Sequence, residues 1–130
     1  MPVNIMVGIL ALLVAVVLYS MGVWGAFRAK GVRQRDVTLL WVGLACDVGA
    51  TVMMGLSVGG LDLRPGTPMI HTVLALVALL GIAAFTAVGQ WAISKDDGAL
   101  RSTVARWIVA PWVLWVVVFV FGFAVMMPRR

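Results

Sequence analysis

Four long apolar stretches constrain this chain more than any other feature: Val3–Phe27, Thr38–Leu61, Met69–Ser94 and Trp107–Met127. Each is long enough to cross a hydrocarbon layer, which takes about 20 helical residues. The first three contain no Lys, Arg or Glu, and Asp47 is their only carboxylate. With 63% hydrophobic and 12% charged residues, the chain is far more apolar than a soluble domain, whose apolar share is about 45–50%. These features imply one all-α domain over 1–130, an up-down bundle of four transmembrane helices spanning about 3–27, 38–61, 69–94 and 107–127. The first stretch lacks a basic leader and an A-x-A site, so it reads as a retained helix and not as a signal peptide. A single cysteine, Cys46, allows no intrachain disulfide and reads as a small core residue.

The formal charge of +5 belongs to the loops and is no nucleic-acid footprint. Loop 28–36 carries Arg28, Lys30, Arg33 and Arg35, and loop 95–106 carries Lys95, Arg101 and Arg106; only Arg64, Arg129 and Arg130 fall on the other side. The positive-inside rule therefore predicts cytoplasmic first and third loops and both termini outside.

Short loops make successive helices antiparallel neighbours. Thr67 and Pro68 suit the N-cap and first position of helix 3. KDDGALRSTVAR (95–106) offers an interfacial half-turn before helix 4, and Pro111, which frees the carbonyl of Trp107, predicts a bend within that helix. Trp107, Trp112 and Trp115 cluster in its cytoplasmic half, partly as an interfacial belt, with Trp115 too deep for that role. On helix 2, Gly43, Asp47, Thr51, Gly55 and Gly59 recur every fourth position, a small-residue stripe of the kind that lets helices approach closely in lipid. It marks helix 2 as central in the bundle or as the seam of a homodimer.

Asp47 lies nine residues beyond Thr38, about 14 Å deep at 1.5 Å per residue and so near mid-membrane. The same depth holds Tyr19, Phe85, Thr86 and Trp115, and suggests a polar layer of Tyr19, Ser20, Asp47, Thr51, Thr86 and Gln90. With no Lys or Arg there, a buried carboxyl is expected to be neutral and to donate its proton. Two readings stay open, a structural hydrogen bond between helices and a proton, ion or cofactor site, which intramembrane acids commonly mark. His71, the one histidine, opens helix 3, where the helix N-terminus disfavours a positive charge and favours the neutral imidazole that a metal or haem iron requires. Met6 and Met126 or Met127 share its depth, so His/Met ligation is a geometric option. No zinc cluster, nucleophile–base pair or phosphate loop is present, and no enzymatic activity is expected.

YSMGVWGAF (19–27), WVGLACDVGATVMMG (41–55), the His71 helix start and WIVAPWVLW (107–115) occur together in this order. Together they resemble the small four-helix haem-sensing membrane proteins of the HsmA type. That family has a Y-x-x-G-V-W motif ending helix 1, W-x-G-x-x-x-D in helix 2, a His opening helix 3 and W-x-x-W in helix 4. The resemblance implies a bacterial plasma-membrane bundle that binds haem b and serves haem tolerance or oxidative-stress defence. Tyr19, Gly22, Trp24, Trp41, Asp47, His71, Trp112 and Trp115 stand at the motif positions. Members carry further histidines later in helix 3 and before helix 4; here those stretches read AAFTAVG and LRSTVARW. Bis-His ligation within one chain is thereby excluded: either His71 pairs with a Met, a water or a second chain's histidine, or haem binding has been lost in this branch.

The expectation is thus a non-catalytic membrane protein that sequesters haem. Its candidate site residues are His71 as iron ligand, Met6, Met126, Tyr19, Asp47, Trp112 and Trp115. Two other classes compete: a homodimeric transporter or channel using Asp47, and an accessory subunit of a larger membrane complex docking through the stripe of helix 2.

Overall fold

The computed structural model describes residues 3–58 and 65–126, excepting the side chains of 56–58, 67, 125 and 126. Those residues form five helical segments: α1 (Val3–Ala29), α2 (Gln34–Val58), α3 (Thr67–Ser94), α4 (Gly98–Trp107) and α5 (Val109–Met126). Four stretches are long and apolar enough to cross a membrane, namely α1, α2 to Gly55, α3 from Pro68, and α4 with α5 from Gly98 to Ala124. The expected all-α up-down bundle forms. α1 packs most extensively on α2 and α3 packs on α5, while α2–α3 and α1–α5 contacts close the ring.

The helix starts differ from the apolar boundaries because charged residues join helices once they are paired. α2 starts at Gln34, four residues before Thr38. Asp36, fully buried in its first turn, accepts the Arg33 backbone N–H at 3.0 Å, Nε at 2.9 Å and Nη2 at 3.1 Å. One carboxylate thus caps the helix and neutralises the guanidinium. Hydrogen bonding to Asp36, reinforced by its charge, pushes the Arg33 guanidinium above its usual pKa. At α3 the N-cap is Gly66, with φ 96°, and not Thr67, which is already helical. That left-handed φ suits a residue without Cβ. The half-turn before helix 4 is a full ten-residue helix, α4, whose N-cap Asp97 accepts the Leu100 N–H at 3.0 Å. As Pro111 predicts, the helix is interrupted, at Ile108, before α5 continues.

Val32 and Arg101 clasp the first and third loops together. The Val32 N–H donates to the Arg101 carbonyl at 3.2 Å, and Arg101 Nε donates to the Val32 carbonyl at 2.9 Å. Both basic loops therefore share one end of the bundle, over a small core of Ala26, Val32, Val37, Val104 and Ala105. The main core lies deeper and is built from Ala15, Tyr19, Val23, Leu40, Leu44, Ala78, Ile82, Ile108 and Trp115. Outside it, residues such as Leu10, Leu80 and Val120 stay exposed, as an element facing lipid requires.

The glycines of α2 do not act as one stripe. A Cβ on Gly43 would meet Tyr19 ring carbons at 2.7 and 2.9 Å, whereas one on Gly55 would meet nothing within 4 Å. Gly59 lies outside the described residues. α1 supplies its own close approach at Gly22, where a Cβ would sit 3.0 Å from the Asp36 carbonyl oxygen. Gly43→Ala should therefore overpack a ring that cannot retreat and destabilise the bundle by about 1–3 kcal/mol. Gly55→Ala should be neutral or stabilising by up to about 1 kcal/mol, the usual helical gain over glycine. SDS titration in mixed micelles, followed by circular dichroism, checks both; equal effects would remove Gly43 from this role.

Candidate functional site

The space left by Gly43 admits the Tyr19 ring from α1, and one helical turn further along α2 its hydroxyl finds Asp47. Tyr19 OH donates to Asp47 Oδ2 at 2.9 Å, and Trp115 Nε1 from α5 donates to the same oxygen at 2.9 Å. The two donors meet edge to face, with ring centroids 5.1 Å apart and planes at 87°. Tyr19 is fully buried, and Asp47 and Trp115 are each 5% exposed. Asp47 thus faces the bundle interior, as expected, and one of its oxygens joins three helices. It acts toward them as an acceptor. Oδ1 takes no hydrogen bond among the described residues.

The rest of the anticipated polar layer does not join this centre. The Thr51 hydroxyl donates to the carbonyl of Asp47 at 2.9 Å, and that of Thr86 to the carbonyl of Ile82 at 2.6 Å, each within its own helix. Such bonds to the preceding turn satisfy a hydroxyl locally. Gln90 pairs with Gln34 in an exposed amide contact, Nε2 to Oε1 at 3.1 Å. Ser20 Oγ accepts from Trp112 Nε1 at 3.3 Å, and Trp112 meets Trp24 edge-on at 5.5 Å. Four of the five motif aromatics, Tyr19, Trp24, Trp112 and Trp115, therefore form two α1–α5 contacts. Trp41 stands apart, 42% exposed on α2.

His71 stands near the other end, on the α3–α5 seam. Its ring lies 5.9 Å from that of Phe121, and a Cβ on Gly122 would come within 2.6 Å of Nε2. The imidazole thus packs on α5, with Nε2 against the glycine. Met6 is 51% exposed on α1, and the side chain of Met126 lies outside the described residues. No group of three or more His, Cys, Asp or Glu gathers among the described residues. One histidine could give an iron at most one axial bond, and Nε2, packed against Gly122, could give it only after the ring turns.

Two open grooves lie at the basic end. One is lined by Phe27, Lys30, Ser102, Ala105 and Arg106 and the other by Ser20, Met21, Trp24, Gly25, Arg28 and Arg35. The Val32–Arg101 clasp was not legible in the sequence, since nothing in the spacing joins residues of different loops. The Asp36 cap itself had a signal: an acid three residues after the residue that precedes the helix. Comparison with protein-family models, characterised proteins and solved structures returns no match.

Replacing Asp47 with Ala leaves two buried donors without an acceptor, at about 1–3 kcal/mol each. Tyr19→Phe removes one bond and should cost about 0.6–1.5 kcal/mol. Asp47→Asn keeps an acceptor oxygen and should fall between these. SDS unfolding followed by tryptophan fluorescence gives the order; Asp47→Ala as mild as Tyr19→Phe would refute the shared acceptor.

Proposed function

We propose that this chain is a non-catalytic, haem-responsive protein of the bacterial plasma membrane, with loops 28–36 and 95–106 in the cytoplasm and both termini outside. The orientation rests on the positive-inside rule and on the Val32–Arg101 clasp, which holds both basic loops at one end. The haem reading rests on the four stretches that resemble the haem-sensing family. The observation that carries it is the position of His71, half-buried on the α3–α5 seam beside Phe121. A membrane-soluble macrocycle can approach such a seam from lipid without entering the packed core. His71 would supply the one axial bond once its ring turns away from Gly122, and the second position would be filled from outside this chain.

A second reading, the homodimeric transporter, draws on one observation: Asp47 Oδ1 lacks a donor among the described residues. Against it, Oδ2 is already shared by two donors in a packed core.

Hemin titration of the full chain in lipid nanodiscs tests the first reading. A saturable Soret shift with at most one haem per chain is expected, weakened at least about tenfold in His71→Ala and unchanged in Asp47→Asn. Absence of saturable binding, or binding indifferent to His71, would overturn it.

A further inference from the structure

The contacts at the basic end divide its cations into two kinds. Arg33 is bound to Asp36 and to the Gly25 carbonyl, and Arg101 to the Val32 carbonyl. Arg28, Lys30, Arg35, Lys95 and Arg106 make no side-chain hydrogen bond or ion pair among the described residues. The fold uses the first two and leaves the others free.

Two of the free cations, Arg28 in the last turn of α1 and Arg35 in the first turn of α2, line a groove of about 370 Å³ with Ser20, Met21, Trp24 and Gly25. Along α1 the groove runs from Arg28 to Ser20, eight residues or about 12 Å toward the middle of the bundle. Its mouth is cationic, and its length is walled by an indole and a thioether. Trp24 is held there by edge contacts with Phe27 and Trp112, each at 5.5 Å, so the wall is formed before any ligand arrives.

The geometry points to a binding site for an anionic glycerophospholipid, with its phosphate between Arg28 and Arg35 and an acyl chain along Trp24 and Met21. An inorganic anion would use only the mouth, whereas the apolar length continuing into the membrane fits the lipid. Two guanidinium groups without a carboxylate favour a headgroup of net negative charge over a zwitterionic one, in keeping with basic pockets between helices on the cytoplasmic side. This site is separate from His71, and it stands or falls independently of haem.

Native mass spectrometry of the full chain in detergent tests it, with equal amounts of phosphatidylglycerol and phosphatidylcholine of identical acyl chains. The wild type should retain phosphatidylglycerol about tenfold more than phosphatidylcholine. Arg28→Gln with Arg35→Gln should bring the two lipids to near parity, with helical content unchanged by circular dichroism. The charge-matched pair Lys95→Gln with Arg106→Gln, at the same end, should keep the wild-type preference, and millimolar inorganic phosphate should leave the adducts in place. No preference in the wild type, or equal losses in both double variants, would overturn the site in favour of diffuse charge attraction. Displacement by phosphate would reduce it to a simple anion site.

Discussion

A single carboxylate oxygen, Asp47 Oδ2, accepts hydrogen bonds from α1 and α5 at mid-depth, and the arrangement of those helices around α2 depends on it. In lipid the hydrophobic effect does not favour helix contact over lipid contact, so packing and interhelical hydrogen bonds must hold a bundle together. The shared acceptor is effective because both donors are buried with it: without it, a phenol and an indole would be left unpaired where water is absent. Packing and hydrogen bonding reinforce each other here. Gly43 makes room for the Tyr19 ring, and the ring then presents its hydroxyl to Asp47 and its face or edge to Trp115.

Much of this centre was legible in the sequence, because depth along a membrane helix is nearly linear in residue number. Counting from the helix ends places Tyr19, Asp47 and Trp115 at one level, and they do meet. Counting cannot tell which hydroxyls leave their own helix. Thr51 and Thr86 sit at suitable depths but spend their protons on the preceding turn, and Gln90 turns to Gln34. The stripe on helix 2 was right at Gly43 and uninformative at Gly55, since a four-residue repeat drifts around the helix and only part of it faces α1. At the basic end the apolar-run criterion stopped too soon. Gln34–Val37 and α4 are helical because Asp36 and Asp97 cap them, and a hydropathy reading gives such caps no weight.

The residues that carry the family resemblance prove to be largely those that lock the bundle. Tyr19, Asp47 and Trp115 form the shared-acceptor centre; Trp24 and Trp112 form its neighbour; Gly22 lets α1 approach the Asp36 carbonyl. Each of these contacts ties helices together within this chain. His71, like the exposed Trp41, takes no part in this interior, and the proposed haem ligation falls on it. The basic end shows a similar division between cations the fold consumes and cations it leaves without a side-chain partner among the described residues. Both proposed sites lie on the lateral and interfacial surfaces of the bundle, while its interior holds the helices together.

The shared acceptor can be observed directly in the indole N–H resonances of the full chain, with its six tryptophans ¹⁵N-labelled, in lipid nanodiscs. Trp115, assigned by Trp115→Phe, should show a hydrogen-bonded downfield shift that moves most of the six when Asp47 is replaced by Ala and less when Tyr19 is replaced by Phe. A Trp115 indole resonance indifferent to both replacements would contradict the three-helix carboxylate centre.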